Sequence, residues 1–298
     1  MCLTHEEGIF LARRTPPMGN TLQFCPCFEA PDAVDLPHRR GPYGSVPPRG
    51  DDDKRRSARS SAPGILVVMR HSVRLDSDAT ATWSDKDARP YDTPISDWRL
   101  PAEQAALLQR HSLAQFDEIV VSPFRRCLQT AGVCAQALGT SRICVDRDWG
   151  EMVPSVRRIQ RECWGDEIAE RPHGVVEYLS AQDELALLRS ASNGAVSAVA
   201  ERRGATPPPG ETHAAGHARF VRAVEALRDN EVRSAGKRVL VVTHGDAVAA
   251  AIKALTGEEC YETEECCWAA FGFSRGEGGD DRSAKQLGSS RIKTLSLG

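Results

Sequence analysis

The sequence predicts an α/β fold built on a mostly parallel central sheet, and three observations carry that prediction. Two β-branched apolar runs have the length of buried strands, Ile65-Leu66-Val67-Val68-Met69 and Val239-Leu240-Val241-Val242-Thr243. Longer segments of helical period follow such runs, as at 126–138. Short apolar runs alternate with those segments from residue 65 onward, which is the pattern of βαβ units. The expected architecture has three layers, with helices on both faces of the sheet and a helical insertion forming a cap.

In chain order, 65–69 reads as the first strand and 116–121 as the second. A helix over 126–138 follows, placing Ala131, Cys134 and Leu138 on one face, and 143–145 reads as a third strand. Residues 152–206 look mainly helical and supply the expected cap. Pro207-Pro208-Pro209-Gly210 is a loop, and a helix over 211–227 sets Phe220, Val224 and Leu227 at helical spacing. The fourth strand, 239–243, leads into a helix over 247–255. Residues 1–62 are rich in Pro, Arg, Gly and Ser and read as a disordered tail; 63–275 is the expected folded unit, and 276–298 a flexible C-terminal tail.

Composition narrows the function. With 298 residues and a net charge of -3, the chain offers no overall field for nucleic acid or an anionic membrane. It lacks an apolar stretch of about 18 residues and the order of a secretory signal, so the expected location is cytoplasmic, with the basic cluster 54–59 leaving the nucleus open and marking the tail as a candidate contact for a protein partner. The ten cysteines are scattered, so buried free thiols are expected. Neither Cys25-x-Cys27 nor Cys266-Cys267 has a zinc spacing, and no metal or other cofactor is expected.

In open parallel sheets, ligands bind beyond the carboxyl ends of the strands. There the sequence places Arg70-His71-Ser72-Val73-Arg74, Ser122-Pro123-Phe124-Arg125-Arg126 and His244-Gly245-Asp246. Guanidinium forks hold phosphoryl oxygens and a neutral imidazole attacks phosphorus, so this mixture suits phosphotransfer. His213 and His217 stand four apart on a helix but lack a third ligand, and read as surface residues. Arg157, Arg158 and Arg161 suit either a solvated helix face or an acidic substrate.

Five blocks in collinear order over about 65–250 resemble the histidine phosphatase superfamily, also called phosphoglycerate-mutase-like. They are Val68-Met69-Arg70-His71, Asp92-Thr93-Pro94-Ile95-Ser96, Ser122-Pro123-Phe124-Arg125-Arg126-Cys127-Leu128-Gln129-Thr130-Ala131, Pro209-Gly210-Glu211 and Val242-Thr243-His244-Gly245. The resemblance implies that His71 is transiently phosphorylated while Arg70, Arg74, Arg126 and His244 bind the phosphoryl oxygens. It also implies Glu151 as the acid that protonates the leaving group, with Asp148 and Asp246 as rivals. The implied activity is hydrolysis of a phosphomonoester, either a small molecule or a phosphoprotein. Two departures stand out: Ser72 occupies a position that is usually Gly, and Val73-Arg74-Leu75-Asp76 and Trp149-Gly150-Glu151-Met152 replace the blocks typical of glycolytic mutases. The second disfavours a mutase. A third expectation, a catalytically silent phosphate-binding or interaction module, takes its motive from Ser72 and from the unsettled acid.

Overall fold

The computed structural model describes residues 63–78, 80–164, 176–274 and 284–295. Every described residue belongs to the unit Arg49–Gly298. The N-terminal tail expected over 1–62 lies outside the described residues.

Five parallel strands make up most of the sheet: β1 (Gly64–Arg70), β2 (Glu118–Val121), β3 (Ile143–Asp146), β4 (Glu201–Arg203) and β5 (Arg238–Thr243). β6 (Glu259–Phe273) and β7 (Lys285–Leu295) extend it antiparallel, giving the order β4-β3-β2-β5-β1-β6-β7. Central strands are apolar on both faces because helices cover both, as parallel sheets require. Met69, Val121, Val145 and Val242 pack in one core with Leu108, Leu128, Ala131 and Leu188. Those partners come from α1 (Arg99–Arg110), α2 (Arg125–Leu138) and α4 (Ala181–Ala191). Their strand neighbours Val68, Val120 and Val241 pack in the opposite core with Phe220, Val224, Val248 and Ile252, supplied by α5 (His213–Leu227) and α6 (Gly245–Thr256). The period of two along each strand thus divides its side chains between two helical layers.

Capping fixes the helix ends. Ser180 and Thr212 accept from the backbone N–H groups of Asp183 and Ala215 at the starts of α4 and α5. Gly139, at φ 67°, ends α2 in the left-handed region that glycine enters without strain. The start of α2 is capped from a distant loop, where buried Asp92 accepts from Arg125 N at 2.7 Å.

Three expectations need correction. The tail expected over 276–298 is replaced in its described part by β7, paired along β6. β7 is exposed or half-buried throughout and gains from a backbone ladder, so it carries no apolar signal. Second, the described part of 152–206 is less helical than expected. It holds α3 (Val153–Trp164) and α4, then a loop and β4, while 165–175 lies outside the described residues. Among the described residues of this segment α3 caps the sheet edge, while α4 packs into the layer beside α2, where a Cβ on Gly132 would meet that of Ala191 at 2.6 Å. Third, α5 starts at His213, because Thr212 is its N-cap, with extended backbone and a side chain that accepts from Ala215 N. Among the described residues no helix is long and apolar enough to cross a membrane.

Candidate active site

The ladder sets the carboxyl ends of β1, β5 and β2 level, with Arg70 opposite Thr243 and Val121 opposite Val242. Immediately beyond, His71 N donates to Thr243 O at 2.9 Å and Ser122 N to Val242 O at 3.0 Å. The next residues of three separate strands therefore emerge side by side. The ring centroids of His71 and His244 lie 5.5 Å apart.

His71 is almost fully buried. Its Nδ1 lies 2.7 Å from Ser72 O, and since a carbonyl only accepts, Nδ1 carries the proton and Nε2 keeps its lone pair. Burial first, and then the charge of Arg126, holds the imidazole well below its ordinary pKa, so the ring is neutral. Ser72 is tied down at three points. Its N–H donates to Thr130 Oγ1 at 3.0 Å, its hydroxyl to Asp97 O at 2.7 Å, and its carbonyl takes the His71 proton. The hydroxyl absent from glycine thus fits without closing the site.

Arg126 is fully buried in the first turn of α2, stacked over Phe124 at 4.6 Å, and donates to Tyr91 O at 2.9 Å. Its terminal nitrogen reaches Glu151 Oε2 at 3.2 Å, and His244 Nδ1 reaches the same oxygen at 3.1 Å. His244 Nε2 lies 2.9 Å from Ser122 Oγ, which donates to it. Burial lowers the His244 pKa to about 4, leaving the ring neutral, with Nδ1–H toward the carboxylate. Burial alone would raise the Glu151 carboxyl, but His244 and Arg126 beside it outweigh burial and hold it well below the usual range. Arg126 Nε is buried without a hydrogen-bond partner among the described residues.

The cleft above these groups measures about 220 Å³ and is lined by Arg70, His71, Arg74, Glu151 and Asp246, with Ser155, Arg158 and Ile159 of α3 on its far wall. Arg70 donates to Thr263 O and pairs with Glu265 at 3.2 Å. Arg74 is held by Asp76, its Nε 2.9 Å from Oδ1. His244 is the N-cap of α6, so the positive end of that helix adds to the arginines, an arrangement that favours an anion. All six sequence-derived positions, Arg70, His71, Arg74, Arg126, Glu151 and His244, come together at this one edge. Larger hollows exist elsewhere: the one beside Ser112, Asp117 and Lys237, of about 550 Å³, lies near the amino end of β5, away from these groups.

The model of the histidine phosphatase superfamily (branch 1) matches residues 163–282. This stretch contains the Pro209-Gly210-Glu211 and His244 blocks, while His71 and Arg126 precede it. Over that stretch the chain is similar to the histidine phosphatase superfamily. Among solved structures it is similar to an ecdysone phosphate phosphatase from Bombix mori, with 14% identity over 70% of this chain and 88% of that one and a TM-score of 0.50, a likeness of fold. It is also similar to a phosphoglycerate mutase from Bacillus anthracis str. Sterne (15% identity, 74% and 92% covered, TM-score 0.44). A mycobacterial glucosyl-3-phosphoglycerate phosphatase gives 18% identity, 78% and 96% covered, and a TM-score of 0.43. No curated protein sequence matches the chain.

Within this site the rival carboxylates separate by position. Asp148 accepts from Ala205 N at 3.2 Å and does not line the cleft. Asp246 does line it, and burial together with nearby Glu151 raises its pKa. His217 and His213 are half-buried and exposed on α5, and neither joins the one group of metal-type ligands among the described residues, Glu118, Cys144 and Glu201. Sequence reasoning missed Arg219 and the use of Ser122 and Tyr91. The only sequence signal for Arg219 was its position eight residues after Glu211 in an otherwise apolar helix face.

Proposed function

We propose that this domain is a phosphomonoester hydrolase that works through a phosphohistidine at His71. The observation that carries the reading is the orientation of that ring. Nδ1–H is committed to Ser72 O, so the lone pair on Nε2 belongs to a neutral imidazole set among Arg70, Arg126 and His244. A phosphoryl group entering the cleft would take the arginine donors and the positive end of α6, which offset charge as it spreads over the transferring oxygens. The unpartnered Arg126 Nε offers one such donor.

In the first step Nε2 bonds to phosphorus, the P–O bond to the leaving group breaks, and a proton goes to the departing oxygen. Glu151 is the donor in this reading. It is ionised because it shares Arg126 and His244; a phosphoryl dianion competing for those same donors raises its proton affinity, so substrate and proton enter together. In the second step Glu151 takes a proton from water, the hydroxide oxygen bonds to phosphorus, and the N–P bond breaks. The small cleft admits a phosphoryl group and few atoms beyond it, which suits either a compact metabolite or a phosphorylated side chain. Val73-Arg74-Leu75-Asp76 in place of a mutase-type block supports water, rather than a second bound substrate, as acceptor.

The test is phosphate release from an aryl phosphate by the whole chain and by His71→Ala and Arg126→Met, each first shown to be folded. Turnover by the native chain that falls by at least about 100-fold in both variants supports the reading. Equal turnover in all three contradicts it.

A further inference from the structure

Arg219 lies on α5, nearly buried, and does not line the cleft. Its Nε and one terminal nitrogen grip Glu211 at 2.8 and 3.0 Å, a two-pronged ion pair. Its other terminal nitrogen donates to Asp148 O at 2.7 Å and to Gly150 O at 2.9 Å. Glu211 completes the circuit by accepting from Val153 N at 3.1 Å. Between these anchors Thr243 Oγ1 donates to Trp149 O at 2.9 Å. The backbone on both sides of Glu151 is therefore fastened, at 148, 149, 150 and 153. Space around it is equally fixed: a Cβ on Gly150 would meet Tyr178 Oη at 2.8 Å, and one on Gly216 would meet Met152 at 2.8 Å.

We infer that Arg219 is a positioning residue for the proton-transfer step, holding Glu151 at Arg126 and His244 through the Asp148–Val153 backbone. The inference rests on the proposed hydrolase reading and deepens it. Buried guanidinium suits the task because one rigid fork neutralises Glu211 and satisfies two carbonyls at once, whereas a lysine has a single point of charge. A general acid displaced by about an ångström loses on the order of 100-fold in rate.

The experiment uses the whole chain with two substrates that differ in leaving group. Nitrophenyl phosphate needs little help from an acid; glycerol 2-phosphate needs a proton. Arg219→Lys keeps a charge opposite Glu211, and the pair Arg219→Met with Glu211→Gln leaves no buried charge alone, so at least one folded variant is expected, checked by thermal melting. Both should lose kcat on glycerol 2-phosphate at least tenfold more than on nitrophenyl phosphate, with KM little changed, as should Glu151→Gln. Adding Arg219→Lys to Glu151→Gln should then cost nothing further, since the two act through one group. Equal losses on both substrates, or losses that multiply in the combined variant, overturn the positioning role alone. If Glu151→Gln itself shows no leaving-group dependence, the acid assignment falls and the positioning role falls with it.

Discussion

At the level of single residues, the site works by keeping two imidazoles neutral and one carboxylate charged. His244 is the clearest case, because its ordinary pKa of 6.5 drops to about 4 in the fold. Between those values the unfolded chain binds a proton that the folded chain refuses, so stability is full above pH 6.5 and is lost as pH falls toward 4. His71 shifts in the same direction and adds to the loss. Thermal melting across that range should show a falling midpoint that is less steep in His244→Gln. Catalysis should run the other way. Because Glu151 is ionised in the free domain, the proton for the leaving group arrives with the substrate, so kcat/KM should decline above the second ionisation of a phosphomonoester, about pH 6. A kcat/KM that instead climbs through neutral pH would remove Glu151 from that role.

Elements contribute by what their ends are tied to. Helix α2 brings Arg126 into the site, and its first N–H is capped by Asp92, thirty-three residues earlier in the chain. The same loop offers Tyr91 O to Arg126. Asp92→Ala should therefore lower stability by about 1–2 kcal/mol, read by urea unfolding, and weaken phosphate release as well, while Asp92→Asn, which keeps an acceptor oxygen, should cost less. The body of α2 was legible in the sequence, because Ala131, Cys134 and Leu138 repeat at helical spacing and all three are buried. Its cap was not, since nothing local connects Asp92 to Arg125. β7 escaped for a different reason: its stabilising contacts are backbone hydrogen bonds, which any sequence can make. Arg219 and its pairing with Glu211 escaped because a buried arginine looks, in sequence, like a surface charge on a helix.

At the level of the whole molecule, strand order creates the site. The chain leaves β1, forms β2 and β3 further along the sheet, and returns to place β5 between β1 and β2. His71 and His244, 173 residues apart, thus become neighbours. The strand ends were legible, because continuous apolar runs ending in Arg-His or Thr-His-Gly need no tertiary information to be noticed. The hydrogen bonds that choose the tautomer of His71 were not, for they depend on the turn geometry of Ser72. The far edge carries its own consequence. β6 buries Cys266 to Phe273 between β1 and β7, so ending the chain at residue 284 would leave the outer edge of a long apolar strand unpaired. That truncation should lower the melting midpoint and drive self-association, visible by size-exclusion chromatography; an unchanged midpoint and elution volume would show β7 to be dispensable. The central claim, however, is the bond between phosphorus and His71, and rapid acid or base quenching of the whole chain during turnover of labelled aryl phosphate tests it most directly. The expected result is a protein-bound label that is stable to base, lost in acid and absent from folded His71→Ala. Label persisting in that variant, or turnover by the native chain with no label at any quench time, would contradict it.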